Sequence, residues 1–200
     1  TRFPEVTRAW PLTGPVTTIR SAFGGPIFLR TPKGAVGPTV NVTVAGAVPM
    51  PRWVQGQTTP AAWEATERHH AAPWGELDAG PYVILAPGDA IRALDDPGAV
   101  ADGWRQVLDL AAQLSGEPAA RARAERLVFD RQISAGWMHS GYPMMAQLPS
   151  VPDALDPQVW ATDGAWGLLH ELGHNHQNVD WLLPGTGETS CNLWSVRLSE

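Results

Sequence analysis

The chain has 200 residues, 44% hydrophobic and 17% charged, which suits one ordinary domain with a buried core and excludes a disordered tail. Twenty acidic residues against fourteen basic ones leave a net charge of −6, which argues against nucleic acid or an anionic membrane surface as partner, because both attract basic patches. No apolar run approaches the roughly 18 residues of a membrane span, so no membrane insertion is expected.

Twenty Gly and nineteen Pro imply many turns and short strands. Ten Trp against two Tyr and four Phe exceed ordinary usage, and tryptophan serves either as a large core filler or as a flat platform for sugar rings. The single Cys191 cannot form an internal disulfide. The abrupt start at Thr1-Arg2-Phe3-Pro4 reads as no signal peptide, and a mature or trimmed chain is the expectation.

In chain order, residues 16–48 alternate and break like an antiparallel sheet. Val16-Thr17-Thr18-Ile19-Arg20 precedes a Gly24-Gly25-Pro26 break, Ile27-Phe28-Leu29 follows, and Thr39-Val40-Asn41-Val42-Thr43-Val44 has period 2 with β-branched residues. Tyr82-Val83-Ile84-Leu85 predicts another strand between Gly80-Pro81 and Pro87-Gly88. After residue 95 the period becomes helical: Val100, Trp104, Val107, Leu108, Ala111 and Leu114 share one face, closed by Gly116. Leu127-Val128-Phe129 predicts a strand before a loop from Gly136 to Pro143. Asp156-Pro157 reads as an N-cap and first helical proline, opening a helix to about Gln177, and a last helix starts near Thr186 or Gly187. The expectation is a single α+β domain over 1–200, mainly β in 1–95 and mainly α in 96–200. A chain that stops inside its last helix is expected to be a fragment of something longer.

The strongest chemical signal is Leu168-Leu169-His170-Glu171-Leu172-Gly173-His174. On a helix, His170 and His174 project from one face a turn apart and can grip one Zn2+. Glu171 sits about 100° around the helix, where it can reach a water at the metal without coordinating. The bland alternative is two surface histidines on an amphipathic helix, but such a helix has no need of Gly173, which costs about 1 kcal/mol relative to Ala. A glycine there permits the close approach of another backbone. Catalytic zinc needs a third protein ligand, and the candidates after His174 are His176, Asp180, Glu188 and Cys191. His176 faces elsewhere on a continuing helix, and Asp180 lies just past the helix end. Glu188 follows a Pro184-Gly185-Thr186-Gly187 turn that lets a second helix cross back over the first. His-Glu-x-x-His with a distal Glu is the gluzincin arrangement, and Glu188 is the favoured ligand over a carboxylate that merely suits a helix N-terminus. Asn192, one turn after Glu188, is placed to orient His170 or His174.

Gly173-His174-Asn175-His176-Gln177, Asp180-Trp181, Gly185-Thr186-Gly187-Glu188-Thr189 and Asn192-Leu193 together resemble the M60-like, or enhancin-type, metallopeptidases. The likeness extends to Asp130-Arg131-Gln132-Ile133-Ser134-Ala135-Gly136-Trp137-Met138-His139-Ser140-Gly141-Tyr142-Pro143, to Ala72-Pro73-Trp74-Gly75-Glu76-Leu77 and to Phe23-Gly24-Gly25-Pro26-Ile27. It implies a zinc peptidase, secreted or at the cell surface, acting on O-glycosylated, mucin-like proteins. It also implies that the zinc ligands are His170, His174 and Glu188, and that Glu171 is the general base. For the oxyanion, Tyr142 and His139 are candidates; a packed Tyr142 and a turn-capping His139 are the plain alternative. Trp181, Asp180, Gly24, Gly25 and Asn175 are expected to face substrate. Asn175 and Gln177 can equally tie down a loop. A catalytically silent relative that binds glycan or protein, and a zinc endopeptidase indifferent to sugar, are the competing expectations.

Overall fold

The computed structural model describes residues 7–31, 37, 39–117, 123–162, 164–178, 180 and 182–199. Its strands are β1 (Arg52–Val54), β2 (Trp74–Asp78), β3 (Tyr82–Pro87), β4 (Glu125–Asp130), β5 (Met138–His139) and β6 (Met144–Gln147). Its helices are α1 (Pro60–Ala65), α2 (Gly88–Arg92), α3 (Pro97–Ser115), α4 (Val151–Leu155), α5 (Pro157–Thr162), α6 (Trp166–His176), α7 (Gly187–Ser190) and α8 (Asn192–Leu198). The strands form one sheet in the order β1-β2-β3-β4-β6-β5. It is mixed: β1–β2, β3–β4 and β4–β6 are parallel, whereas β2–β3 and β5–β6 are antiparallel. The α+β class expected from the sequence is the class observed.

The location of the strands differs from expectation. Among the described residues, 7–49 contain no strand, and Val16, Val40 and Val48 of that segment are exposed. Alternation makes a segment able to pair, but a strand also needs a neighbouring backbone to bond along its length, and the described residues of this segment meet one only at Pro49, which accepts from the Ala72 N–H at 3.4 Å. Three of the six strands instead follow residue 96, and β5 and β6 occupy and flank the stretch expected to be a loop.

Strand alternation sends Trp53, Leu77, Ile84, Leu127, Phe129 and Ala146 to one face, where they share a core with Trp104, Leu108, Leu168, Leu172 and Trp194 from the helices. The opposite face carries Glu76, buried between Arg52 (Nε to Oε1, 2.7 Å) and Arg126 (Nη1 to Oε2, 3.1 Å). Phe28 lies under the Arg126 guanidinium at 4.7 Å and joins the N-terminal segment to this face.

α3 begins and ends where its sequence dictates. Asp96 accepts from the Ala99 N–H at 2.9 Å, Pro97 opens the first turn, and Gly116 closes the helix at φ 69. The single helix expected from Asp156 to Gln177 is two helices. Gly164 adopts φ 66, a left-handed conformation that stops α5 and lets α6 leave in a new direction. That redirection lays Leu168, Leu169 and Leu172 against the sheet and leaves His170 and His174 on another flank.

Candidate metal centre

α6 supplies His170 and His174, whose rings are 4.8 Å apart between centroids and nearly perpendicular. α7 supplies Glu188 from its first turn. Glu188 Oε2 stands 3.3 Å from His170 Nε2 and 3.4 Å from His174 Nε2. The crossing that brings it there depends on Gly173, because a Cβ at that position would collide with the Cys191 carbonyl oxygen. The close backbone approach expected of this glycine is thus made by the segment carrying Glu188.

The donor set fits a zinc ion. Bonds of about 2.0–2.1 Å in tetrahedral geometry place ligand atoms about 3.3–3.4 Å apart, the spacing found between Glu188 and each imidazole. The outward nitrogens agree. His170 Nδ1 is 2.6 Å from Asn192 Oδ1, and the same amide donates from Nδ2 to the Glu188 carbonyl oxygen at 3.0 Å, which fixes its orientation. His174 Nδ1 is 3.0 Å from Gln177 Oε1. With an acceptor opposite each Nδ1, both Nε2 lone pairs face the Glu188 carboxylate, a concentration of negative density that calls for a cation. The Glu188 side chain is 84% exposed, so the cluster opens to solvent on that side.

Cys191 belongs to the same cluster, whose ligand atoms lie within 4.8 Å of one another. Its sulfur is 3.4 Å from Nδ1 and 3.6 Å from Nε2 of His170, so it lies against the ring rather than along the Nε2 lone pair. Burial, and after it the Glu188 carboxylate, push the thiol pKa up, and the S–H donates to the Glu188 carbonyl at 3.3 Å. Glu171, half-buried, follows His170 on α6. His176 points away: it is buried beside Trp194, with Nδ1 3.1 Å from Ser115 Oγ at the end of α3.

The remaining expected site residues divide. Asn175 is committed to a loop: its Oδ1 accepts from the Gly141 N–H at 2.8 Å and its Nδ2 donates to the Gly141 carbonyl at 3.0 Å. That clamp holds the loop of Tyr142 against α6. Tyr142 itself is half exposed, with the Arg123 guanidinium 3.5 Å from its ring centroid. His139 is turned away. A Cβ at Gly167 of α6 would meet the Met138 sulfur at 2.8 Å, so Met138 faces the helix and its strand neighbour faces the other side. Both His139 nitrogens are also engaged, Nε2 by Ser134 Oγ at 3.0 Å and Nδ1 by the Ser140 carbonyl at 2.8 Å. Asp180 is exposed on the connection between α6 and α7, and Trp181 lies outside the described residues. Gly24 and Gly25 border open space, so their φ values of 64 and 115, not a close approach, are what require glycine. Gln177 is the site residue whose contact the sequence did not single out. Its position three residues after His174, on the same side of the helix, is the signal that points to it.

A mixed sheet backed by helices, with a His-Glu-x-x-His helix facing a crossing glutamate, defines a metallopeptidase-like domain. The chain belongs to the Peptidase M60, enhancin and enhancin-like family, whose model matches residues 46–200. It is 40% identical over 200 residues to TRPM8 channel-associated factor 2 of Homo sapiens, covering all of this chain but 22% of that protein. The chain thus spans about a fifth of that relative's length. Among solved structures, a functionally unknown conserved protein from Bacillus anthracis matches 74% of this chain and 33% of its own, with a TM-score of 0.64 and 22% identity. The M60 catalytic domain of ZmpC from Clostridium perfringens, solved in complex with the sialyl T antigen, matches 74% and 32%, with a TM-score of 0.55 and 14% identity. At these identities the solved structures establish the fold alone.

Proposed function

We propose that this chain is a zinc-dependent endopeptidase domain that cleaves O-glycosylated, mucin-like proteins, secreted or at the cell surface. The observation that carries the reading is the triangle of His170 Nε2, His174 Nε2 and Glu188 Oε2, with its 3.3 and 3.4 Å edges. These three residues hold the ion. Bound zinc supplies Lewis acidity, which activates water and polarises a scissile carbonyl. Glu171 takes the proton from the attacking water and returns it to the leaving nitrogen as the amide bond breaks. Tyr142, on the loop that Asn175 clamps, is the candidate donor to the developing oxyanion. Sugar dependence is supported by the ZmpC catalytic domain, which was solved in complex with the sialyl T antigen, and Asp180, Trp181, Gly24 and Gly25 are the proposed contacts.

The test pairs one peptide in two forms, bare and O-glycosylated, with zinc-loaded protein and a mass-spectrometric readout. Cleavage of the glycosylated form alone is expected. Glu171→Ala should keep one zinc per chain and lose at least about a hundredfold in rate, as removal of a general base does. Wild-type rates in that variant would refute the assignment of the base.

The likeness to TRPM8 channel-associated factor 2 supports a second reading, a domain that binds a protein partner and keeps the metal for structure. Stoichiometric zinc with no cleavage of either peptide favours it.

A further inference from the structure

We infer that Gln177 is a positioning residue for His174, holding its imidazole with the proton on Nδ1 and the bare Nε2 turned toward Glu188. The inference rests on the proposed zinc-ligand roles of His170, His174 and Glu188.

The direction of each hydrogen bond around Gln177 is forced by its neighbours. Gln177 Nε2 lies 2.7 Å from the Gly187 carbonyl oxygen and 2.7 Å from Ser190 Oγ. A carbonyl oxygen only accepts, so the end of the side chain facing Gly187 is the NH2. Ser190 Oγ donates its one proton to the Thr186 carbonyl at 2.9 Å and therefore accepts the other N–H of Gln177. Both amide protons are then used. Oε1 remains as an acceptor, 3.0 Å from His174 Nδ1. A ring nitrogen facing a pure acceptor carries the proton, which leaves Nε2 unprotonated in the neutral imidazole. That Nε2 is the atom 3.4 Å from Glu188 Oε2.

Two backbone carbonyls at the start of α7, those of Thr186 and Gly187, thus set the tautomer of a histidine on α6. Gln177 can do this because it is the C-cap of α6. Its own N–H still bonds the Gly173 carbonyl at 2.9 Å, while its backbone turns extended at φ −62 and ψ 135 and releases the side chain toward α7. The same residue therefore aligns one ligand and ties down the turn that bears another. With both ends of its amide occupied in this way, Gln177 is committed to the metal centre rather than to a sugar.

The experiment uses the 200-residue chain as wild type, Gln177→Leu and Gln177→Glu. Nitrogen-15 NMR of the imidazoles in zinc-free protein reads the tautomer, and competition with a chelator reads zinc affinity. Wild-type His174 is expected as the Nδ1–H form. Gln177→Leu should give mixed tautomers and bind zinc about 10–100-fold more weakly, as loss of an outer partner does. Gln177→Glu returns an oxygen opposite Nδ1, and the Ser190 hydroxyl can turn to donate to it. That variant should keep the Nδ1–H form and hold zinc more tightly than the leucine variant. An unchanged tautomer and affinity in folded Gln177→Leu overturns the inference. If the leucine variant does not fold, the glutamate variant decides: retention of the Nδ1–H form supports the role, and its loss overturns it. A wild-type chain that binds no zinc, yet loses the Nδ1–H form on Gln177→Leu, sinks the zinc reading and leaves the positioning role standing.

Discussion

Gly173 decides how closely the two parts of the donor set approach. A Cβ there would strike the Cys191 carbonyl oxygen, with the carbonyl carbon at 3.1 Å and the Cα at 3.2 Å. Alanine in a helix normally stabilises by about 1 kcal/mol over glycine. Overpacking costs about 1–3 kcal/mol, and here the obstacle is backbone, which cannot swing aside as a side chain does. Gly173→Ala is therefore expected to lower the urea midpoint and to push Glu188 and Asn192 away from the two histidines, weakening zinc by about tenfold or more. A higher midpoint with unchanged zinc affinity would mean that helix propensity wins and the contact is soft. The glycine's role was legible in the sequence, because an unfavourable residue inside a helix asks for a close neighbour. The role of Gln177 was not. An amide near a metal helix reads equally as a sugar contact or a staple, and only the direction of bonds arriving from Thr186, Gly187 and Ser190 separates them.

At the level of elements, legibility followed how local the deciding forces are. α3 carries its own cap, its first-turn proline, its apolar stripe and its closing glycine, so pattern alone locates it. The break between α5 and α6 turns on the left-handed Gly164, which a helical period over 157–177 conceals. The described residues of 16–44 hold a strand pattern without a strand, because pairing depends on a second backbone that periodicity does not report. Trp104 illustrates what fastens an element once it is placed. It stacks on Tyr82 with centroids 4.6 Å apart, meets Trp160 edge-on at 5.5 Å, and donates from Nε1 to the Ala154 carbonyl at 2.8 Å. It thereby joins α3 to β3, α5 and α4. Trp104→Ala should cost about 3–5 kcal/mol by chemical denaturation. Trp104→Phe keeps most of the apolar area but strands the Ala154 carbonyl, at about 1–3 kcal/mol. Equal losses in the two variants would assign the anchor to the hydrogen bond instead of the packing.

Across the whole molecule, the candidate metal centre joins two pieces of chain that the core holds separately. α6 is seated through Leu168, Leu169 and Leu172, and α8 through Trp194, with Glu188 on the short α7 between them. Glu188 stands 3.3 and 3.4 Å from the two imidazoles only when both pieces are docked, so the unfolded chain offers no comparable site. A ligand that binds only the folded state stabilises it in proportion to the logarithm of its excess, about 4 kcal/mol at a thousandfold excess over Kd. For a chain of this size each kcal/mol moves Tm by about 2–4 °C. Chelation of saturating zinc should therefore lower Tm by about 8–16 °C at neutral pH. This zinc-dependent increment is the stability that the bound ion adds to the folded chain. Glu171→Gln should retain the increment, since the base does not coordinate, whereas His170→Ala should lose most of it. A wild-type Tm that chelator leaves unmoved at neutral pH would show that the cluster of His170, His174 and Glu188 does not hold a metal. A shift retained in His170→Ala would put the ion somewhere else on the chain.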